Sequence, residues 1–119
     1  MKHIFIVDDD KVLTTILSTY LGSLNFKITT FHCGKNALDQ MNAGESPDLI
    51  ISDLNMPYMN GQEFLEKLGE STTFKKVPIL LFTGTETDLT EKTYPEIKAF
   101  VKKPCHPDRL FEIIKEHIS

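Results

Sequence analysis

With 119 residues the chain has room for one compact domain and one core, and 40% apolar and 25% charged residues are the balance of an ordinary globular protein, not a disordered or fibrous one. A formal net charge of −4, with no Lys/Arg cluster, argues against a general nucleic-acid or anionic-membrane surface. The apolar start from Met1 to Val7 is cut off by three aspartates, too soon for a signal peptide or a membrane span, so a cytoplasmic protein is expected.

In chain order, Ile4 to Val7 reads as a first strand. It is followed by Val12, Leu13, Ile16, Leu17, Tyr20, Leu21 and Leu24, a helical repeat with one broad apolar face. Phe26 to Phe31 is a second strand, and Ala37, Leu38 and Met41 mark a second helix. Leu49 to Ile51 is a third strand, and Phe64, Leu65 and Leu68 mark a third helix. Val77 to Phe82 and a shorter run at Ala99 to Val101 supply strands four and five. Leu110, Phe111, Ile113 and Ile114 form a closing helix, with Pro107 at its first turn after His106. Gly84 to Lys98 is rich in Thr and poorly amphipathic, which predicts a short or irregular fourth helix there.

Strands that alternate with helices through short links favour right-handed crossovers and a parallel sheet covered on both faces. Strands one, three and four are continuously apolar, as interior parallel strands are, whereas strand two alternates and strand five is short. The expectation is one α/β domain over residues 1–119. It has three layers around a doubly wound, five-stranded parallel sheet of order 2-1-3-4-5, the flavodoxin-like arrangement.

In such a sheet ligands bind at the carboxyl ends of the strands. Strand one ends in Asp8, Asp9 and Asp10, strand three in Asp53, strand four in Thr83, and strand five in Lys102 and Lys103. Each feature alone has an ordinary explanation: Asp10 as a helix cap, Asp53 as part of a turn, Thr83 as structural, Lys103 as a solvated charge. Together they do not, because three carboxylates at one crevice repel one another unless a cation or a proton compensates, and a divalent ion is the expectation here. Oxygen-only ligands favour magnesium over zinc, since the cysteines and histidines show no ligand spacing. A Lys ammonium and a Thr hydroxyl beside such an ion suit the charge on a transferring phosphoryl group, with a carboxylate as nucleophile.

On these residues the sequence resembles response-regulator receiver domains along its whole length. The motifs are Val7-Asp8-Asp9, Asp53 followed by Met56-Pro57 and Gly61, Thr83-Gly84, and Lys103-Pro104. The resemblance implies a phosphorylation-controlled switch in which Asp53 accepts a phosphoryl group from a histidine kinase or histidine phosphotransfer protein. It implies that Asp9 binds Mg2+ directly and Asp8 through water, with Asp53 and the backbone carbonyl of Asn55 completing the protein ligands. Lys103 would pair with a phosphoryl oxygen, Thr83 would hydrogen-bond another, and Gly84 would leave access to the phosphorus. Phe100 matches the aromatic position that turns inward on activation, with an ordinary edge-strand aromatic as the equal alternative. Output would pass through Thr83 and Phe100 to the face formed by the 84–98 segment, strand five and the closing helix. Such a domain catalyses only its own phosphorylation and dephosphorylation.

The sequence departs from the family in one place. Only 20 positions separate Thr83 from Lys103, and the customary Gly-Ala turn before strand five is missing. An aspartyl-nucleophile phosphohydrolase would carry its nucleophile on strand one, and a flavin carrier would need a phosphate-binding loop where three aspartates stand. A phosphorylation-independent interaction module is disfavoured by the complete acid, Thr and Lys set. His3, His32, His106 and His117 share no spacing and are expected in surface or capping roles. Cys33 and Cys105 lack CxxC spacing and are read as incidental thiols.

Overall fold

A computed structural model describes residues 1–54, 61–70, 77–84 and 96–118. Asn55, Met56, Pro57 and most of the predicted fourth helix, residues 85–95, lie outside them. Five strands, β1 (His3–Val7), β2 (Lys27–Phe31), β3 (Leu49–Ser52), β4 (Ile79–Thr83) and β5 (Ile97–Lys102), form one sheet in the order β2-β1-β3-β4-β5. Every pairing is parallel. The described helices are α1 (Lys11–Gly22), α2 (Gly34–Asn42), α3 (Gly61–Glu70) and α4 (Pro107–His117). Among the described residues no helix is long and apolar enough to cross a membrane.

Alternate residues of a strand point to opposite faces, and each face has its own core; in β5 a register shift between Ile97 and Ala99 breaks the alternation, so that Ile97 and Val101 serve opposite faces. Phe5, Val7, Phe31, Ile50, Ile79, Leu81 and Ile97 pack against Ala37 and Met41 of α2 and Phe64, Leu65 and Leu68 of α3. Ile4, Ile6, Leu49, Ile51, Leu80, Phe82 and Val101 pack against Leu17 and Leu21 of α1 and Leu110 and Ile114 of α4. This is the predicted three-layer arrangement. Strands β3 and β4 are buried along their whole length, whereas β2 begins exposed and β5 alternates, as edge strands do. At six residues β5 is longer than the apolar run that announced it, because Lys98, Phe100 and Lys102 occupy its outward positions.

Helix ends follow the local chemistry. The Asp10 carboxylate accepts from the Leu13 amide at 3.1 Å and caps α1. The His106 ring accepts from the Asp108 amide at 3.2 Å and caps α4, with Pro107 in its first turn. After α2 the chain turns at Gly44, whose φ of 113° lies where a side chain is rarely tolerated. The broad apolar face predicted for α1 is too broad. Leu17 and Leu21 are buried, but Val12 is 70% and Ile16 49% exposed, because the sheet and α4 cover a narrower stripe than the sequence offers. Tyr20 joins the two helices by donating its hydroxyl to the Asp108 carboxylate.

Candidate functional site

The carboxyl edge of the sheet is built by extending its ladders one residue past the strands. The amide of Asp8 donates to the carbonyl of Phe31 at 2.9 Å, that of Asp53 to Val7 at 3.0 Å, and that of Lys103 to Thr83 at 3.0 Å. Asp8, Asp53 and Lys103 therefore leave the sheet from fixed backbone positions around the point where β1 and β3 diverge in connection. A shift of register between β4 and β5 near Ile79 and Leu80 brings Thr83 opposite Lys102. That register places Lys103 next to Thr83 at the rim.

Four strand ends meet in a small volume. Oxygens of Asp8, Asp9 and Asp53 lie within 4.8 Å of one another, with Asp8 and Asp53 buried and Asp9 exposed. The Lys103 ammonium donates to Asp8 Oδ2 at 2.7 Å and to Asp53 Oδ2 at 3.1 Å. Asp8 Oδ1 accepts from the Asp10 amide at 2.9 Å. Asp53 Oδ1 accepts from the Leu54 amide at 2.7 Å, and the Thr83 side chain also hydrogen-bonds to the Asp53 carboxylate. The Lys103 ammonium also lies over the Phe82 ring, 5.6 Å from its centre.

The two buried acids respond differently to these surroundings. Burial pushes Asp8 up, and this outweighs the hydrogen bonds from Lys103 and the Asp10 amide. Burial also acts upward on Asp53, but hydrogen bonds from Thr83 and Lys103, the Lys103 charge and the Leu54 amide together hold it below the usual carboxylate range. Burial would lower Lys103, yet its bonds to Asp8 and Asp53 raise it, so the ammonium form is reinforced. An ionised, oriented carboxylate beside a fixed cation and a hydroxyl has the makings of a nucleophile whose product charge is already provided for. The donor set is all oxygen, clustered and anionic, which fits a hard divalent cation such as Mg2+.

Asp8, Asp9, Asp53, Thr83 and Lys103 are thus brought together. Gly84 follows Thr83 at the rim, and among the described residues the atom nearest a Cβ built on it would be Lys103 Cβ, at 3.9 Å. Phe100 sits on the outward face of β5, 43% exposed. Asn55 lies outside the described residues. The surface or capping expectation fails for two histidines: His3, half-buried on β1, bonds Thr29 Oγ1 through its ring at 2.7 Å, and His32 is neither a surface nor a capping residue, since its half-buried ring bonds the backbone carbonyl of Asp8 at 3.0 Å. A lone His gave no signal of this, although its place one residue past β2, beside the end of β1, would have.

A family model for the response regulator receiver domain matches residues 4–115. The two-component response regulator ORR11 of Oryza sativa subsp. japonica is 32% identical over 114 residues, covering 92% of this chain and 78% of the relative. The transcriptional regulatory protein GlrR of Escherichia coli K12 is 31% identical over 117 residues, which take in 98% of this chain and 26% of that one. Among solved structures, the response regulator TrrA of Thermotoga maritima in complex with Mg2+-BeF superposes with a TM-score of 0.84 at 27% identity, covering 99% of this chain and 100% of that one. The chemotaxis response regulator CheY4 of Vibrio cholerae gives the same TM-score, 0.84, at 26% identity over 99% of each chain.

Proposed function

The chain belongs to the response regulator receiver domain family, whose general function is that of a phosphoryl-acceptor switch, and from that premise we propose that Asp53 is its phosphoryl acceptor. The observation that carries this reading is the position of the Asp53 carboxylate. It is buried, held in its ionised form, and in contact with both Lys103 and Thr83, within 4.8 Å of Asp8 and Asp9. Receiver domains are phosphorylated by histidine kinases, and here the donor would be a phosphohistidine on such a kinase or on a histidine phosphotransfer protein. A cytoplasmic setting is part of the same proposal.

In the transfer, an oxygen of Asp53 attacks phosphorus, the O–P bond forms and the P–N bond of the phosphohistidine breaks. The released imidazole takes its proton from solvent. Lys103, which now bridges Asp8 and Asp53, would turn its ammonium toward a phosphoryl oxygen, and Thr83 would give its hydroxyl hydrogen to another. Gly84 would keep the approach to the phosphorus clear. Asp8, Asp9, Asp53 and the carbonyl of Asn55 would hold Mg2+, which when bound supplies charge neutralisation for the crowded acids and the incoming phosphoryl oxygens. Asp9 would bind the ion directly and Asp8 through water, with Asp53 and the Asn55 carbonyl completing the protein ligands.

The change would then pass from Thr83 to Phe100. A new dianion beside Thr83 offers a charge-assisted bond that draws the end of β4 inward and opens space for the ring, and output would follow at the face of the 84–98 segment, β5 and α4. The test is phosphotransfer from a partner carrying phosphohistidine. Transfer that needs magnesium and ends with the Asp53→Asn variant is expected. Equal transfer to that variant would refute the assignment.

A further inference from the structure

The ring of His32 stands where a backbone group belongs. In a regular parallel ladder, a residue whose amide bonds one position on the neighbouring strand offers its carbonyl to the amide two positions further on. The Asp8 amide bonds the carbonyl of Phe31 at 2.9 Å, so its own carbonyl is due to the amide of Cys33. His32 takes that carbonyl instead, its Nδ1 lying 3.0 Å from Asp8 O, while Cys33 turns into α2 as its N-cap residue. A carbonyl oxygen only accepts, so Nδ1 carries the proton.

With this bond Asp8 is tied at every polar atom. Its amide goes to Phe31, its carbonyl to His32, Oδ1 to the Asp10 amide and Oδ2 to the Lys103 ammonium. The carbonyl tie matters most for the next residue, because it fixes the plane of the peptide that joins Asp8 to Asp9. Asp9 is exposed, so its carboxylate is placed chiefly by the backbone that launches it. Resting on the proposed function of this site, we propose that His32 is a positioning residue for magnesium binding and phosphoryl transfer, its Nδ1–H fixing the Asp8–Asp9 peptide so that the Asp9 carboxylate stands ready for the ion. Groups that orient ligands in this way commonly affect metal affinity although they never touch the metal.

The test uses the whole chain and two near-isosteric substitutions. His32→Asn puts a donor at the place of Nδ1, and His32→Leu puts a methyl group there. In the wild type at alkaline pH, nitrogen NMR of the ring is expected to show the neutral Nδ1–H tautomer, which an unconstrained imidazole disfavours. His32→Leu is expected to weaken Mg2+ binding, read by amide shifts in a titration, by about 5- to 10-fold, with His32→Asn back to within about 2-fold of wild type. Magnesium-dependent phosphorylation by acetyl phosphate should follow the same order. A His32→Leu protein that melts lower but binds Mg2+ like the wild type would overturn the proposal, leaving a structural bond only. Should that variant not fold, an Nε2–H tautomer in the wild type, or His32→Asn binding Mg2+ many-fold more weakly, would overturn it equally. Wild-type protein that binds no magnesium would overturn the reading of the site and this proposal with it, and a persisting Nδ1–H signal would show that the failure lies in the site and not in the His32 bond.

Discussion

Lys103 and Asp8 are 95 positions apart in the chain and 2.7 Å apart at their charged ends. The same ammonium reaches Asp53, so one cation holds two buried carboxylates at the rim of the sheet. Removing one partner of such a group leaves the others charged and uncompensated. Lys103→Ala is therefore expected to cost about 2–3 kcal/mol at neutral pH, measured by denaturant unfolding without magnesium. The sign with pH follows from the shifts. Asp53, lowered in the folded state, contributes stability that is present above its unfolded pKa and lost as pH falls through its folded value. Lys103, raised, contributes stability that is present below its unfolded pKa and lost as pH rises through its folded value. The deficit of the variant should be largest between about pH 5 and 9 and should shrink below about pH 4. A deficit independent of pH would mean that lost packing on Phe82, and not charge, is responsible.

Burial raises Asp8 and makes its charge costly in the folded state. Asp8→Asn removes that charge but keeps one acceptor oxygen where Asp8 uses two, for Lys103 and for the Asp10 amide. This variant is expected to raise the melting temperature of the metal-free protein modestly, the relief of a buried charge being offset in part by the lost bond. Asp9 is exposed, and Asp9→Asn should change metal-free stability by no more than about 0.5 kcal/mol. Both should reduce the rise in melting temperature that magnesium gives the wild type through linkage. A larger stabilisation from Asp9→Asn than from Asp8→Asn would contradict this ordering.

Two glycines separate close approach from mere freedom. A Cβ at Gly34, the first residue of α2, would lie 3.0 Å from three side-chain atoms of Phe64 in α3. Gly34→Ala is expected to lose about 1–3 kcal/mol, because Phe64 is fully buried and has nowhere to move. At Gly22, the last residue of α1, a Cβ meets nothing within 4 Å among the described residues. Gly22→Ala should gain up to about 1 kcal/mol from helix propensity. Thermal melts of the two variants should move in opposite directions.

The sheet and most of the site could be read from the sequence for one reason: parallel strands repeat a simple pattern. Apolar runs marked the interior strands, and the residues just past each run had to stand at the carboxyl edge, which gave Asp8 and Thr83 their places directly and Asp53 its place one residue beyond Ser52. Lys103 followed from the position of its run, although β5 was judged short because its outward Lys98 and Lys102 bound the apolar run Ala99 to Val101. What was not legible depended on how much surface a neighbour covers, or on a side chain standing in for backbone. Val12 and Ile16 fit the helical period of α1 but lie beyond the stripe that its neighbours bury. His32 has no partner in sequence spacing, and its bond to Asp8 exists only because β1 and β2 end side by side.

Phe100 bears on the output of the switch. Its ring is 43% exposed on β5, so an inward turn would remove apolar area from water and favour the activated packing. Hydrogen exchange with and without beryllofluoride and magnesium is expected to change at Phe100 and the amides around Thr83, and Thr83→Ala should abolish the change at Phe100. Unchanged exchange at Phe100 in the wild type would remove it from the path.

The most direct measurement is the intact mass of the chain after incubation with acetyl phosphate. With magnesium present the wild type should gain one phosphoryl group, while chelation of the metal or the Asp53→Asn substitution should leave the mass unchanged. A full gain in Asp53→Asn, or a gain in the wild type that does not depend on magnesium, would contradict Asp53 as the acceptor in a magnesium-assisted transfer.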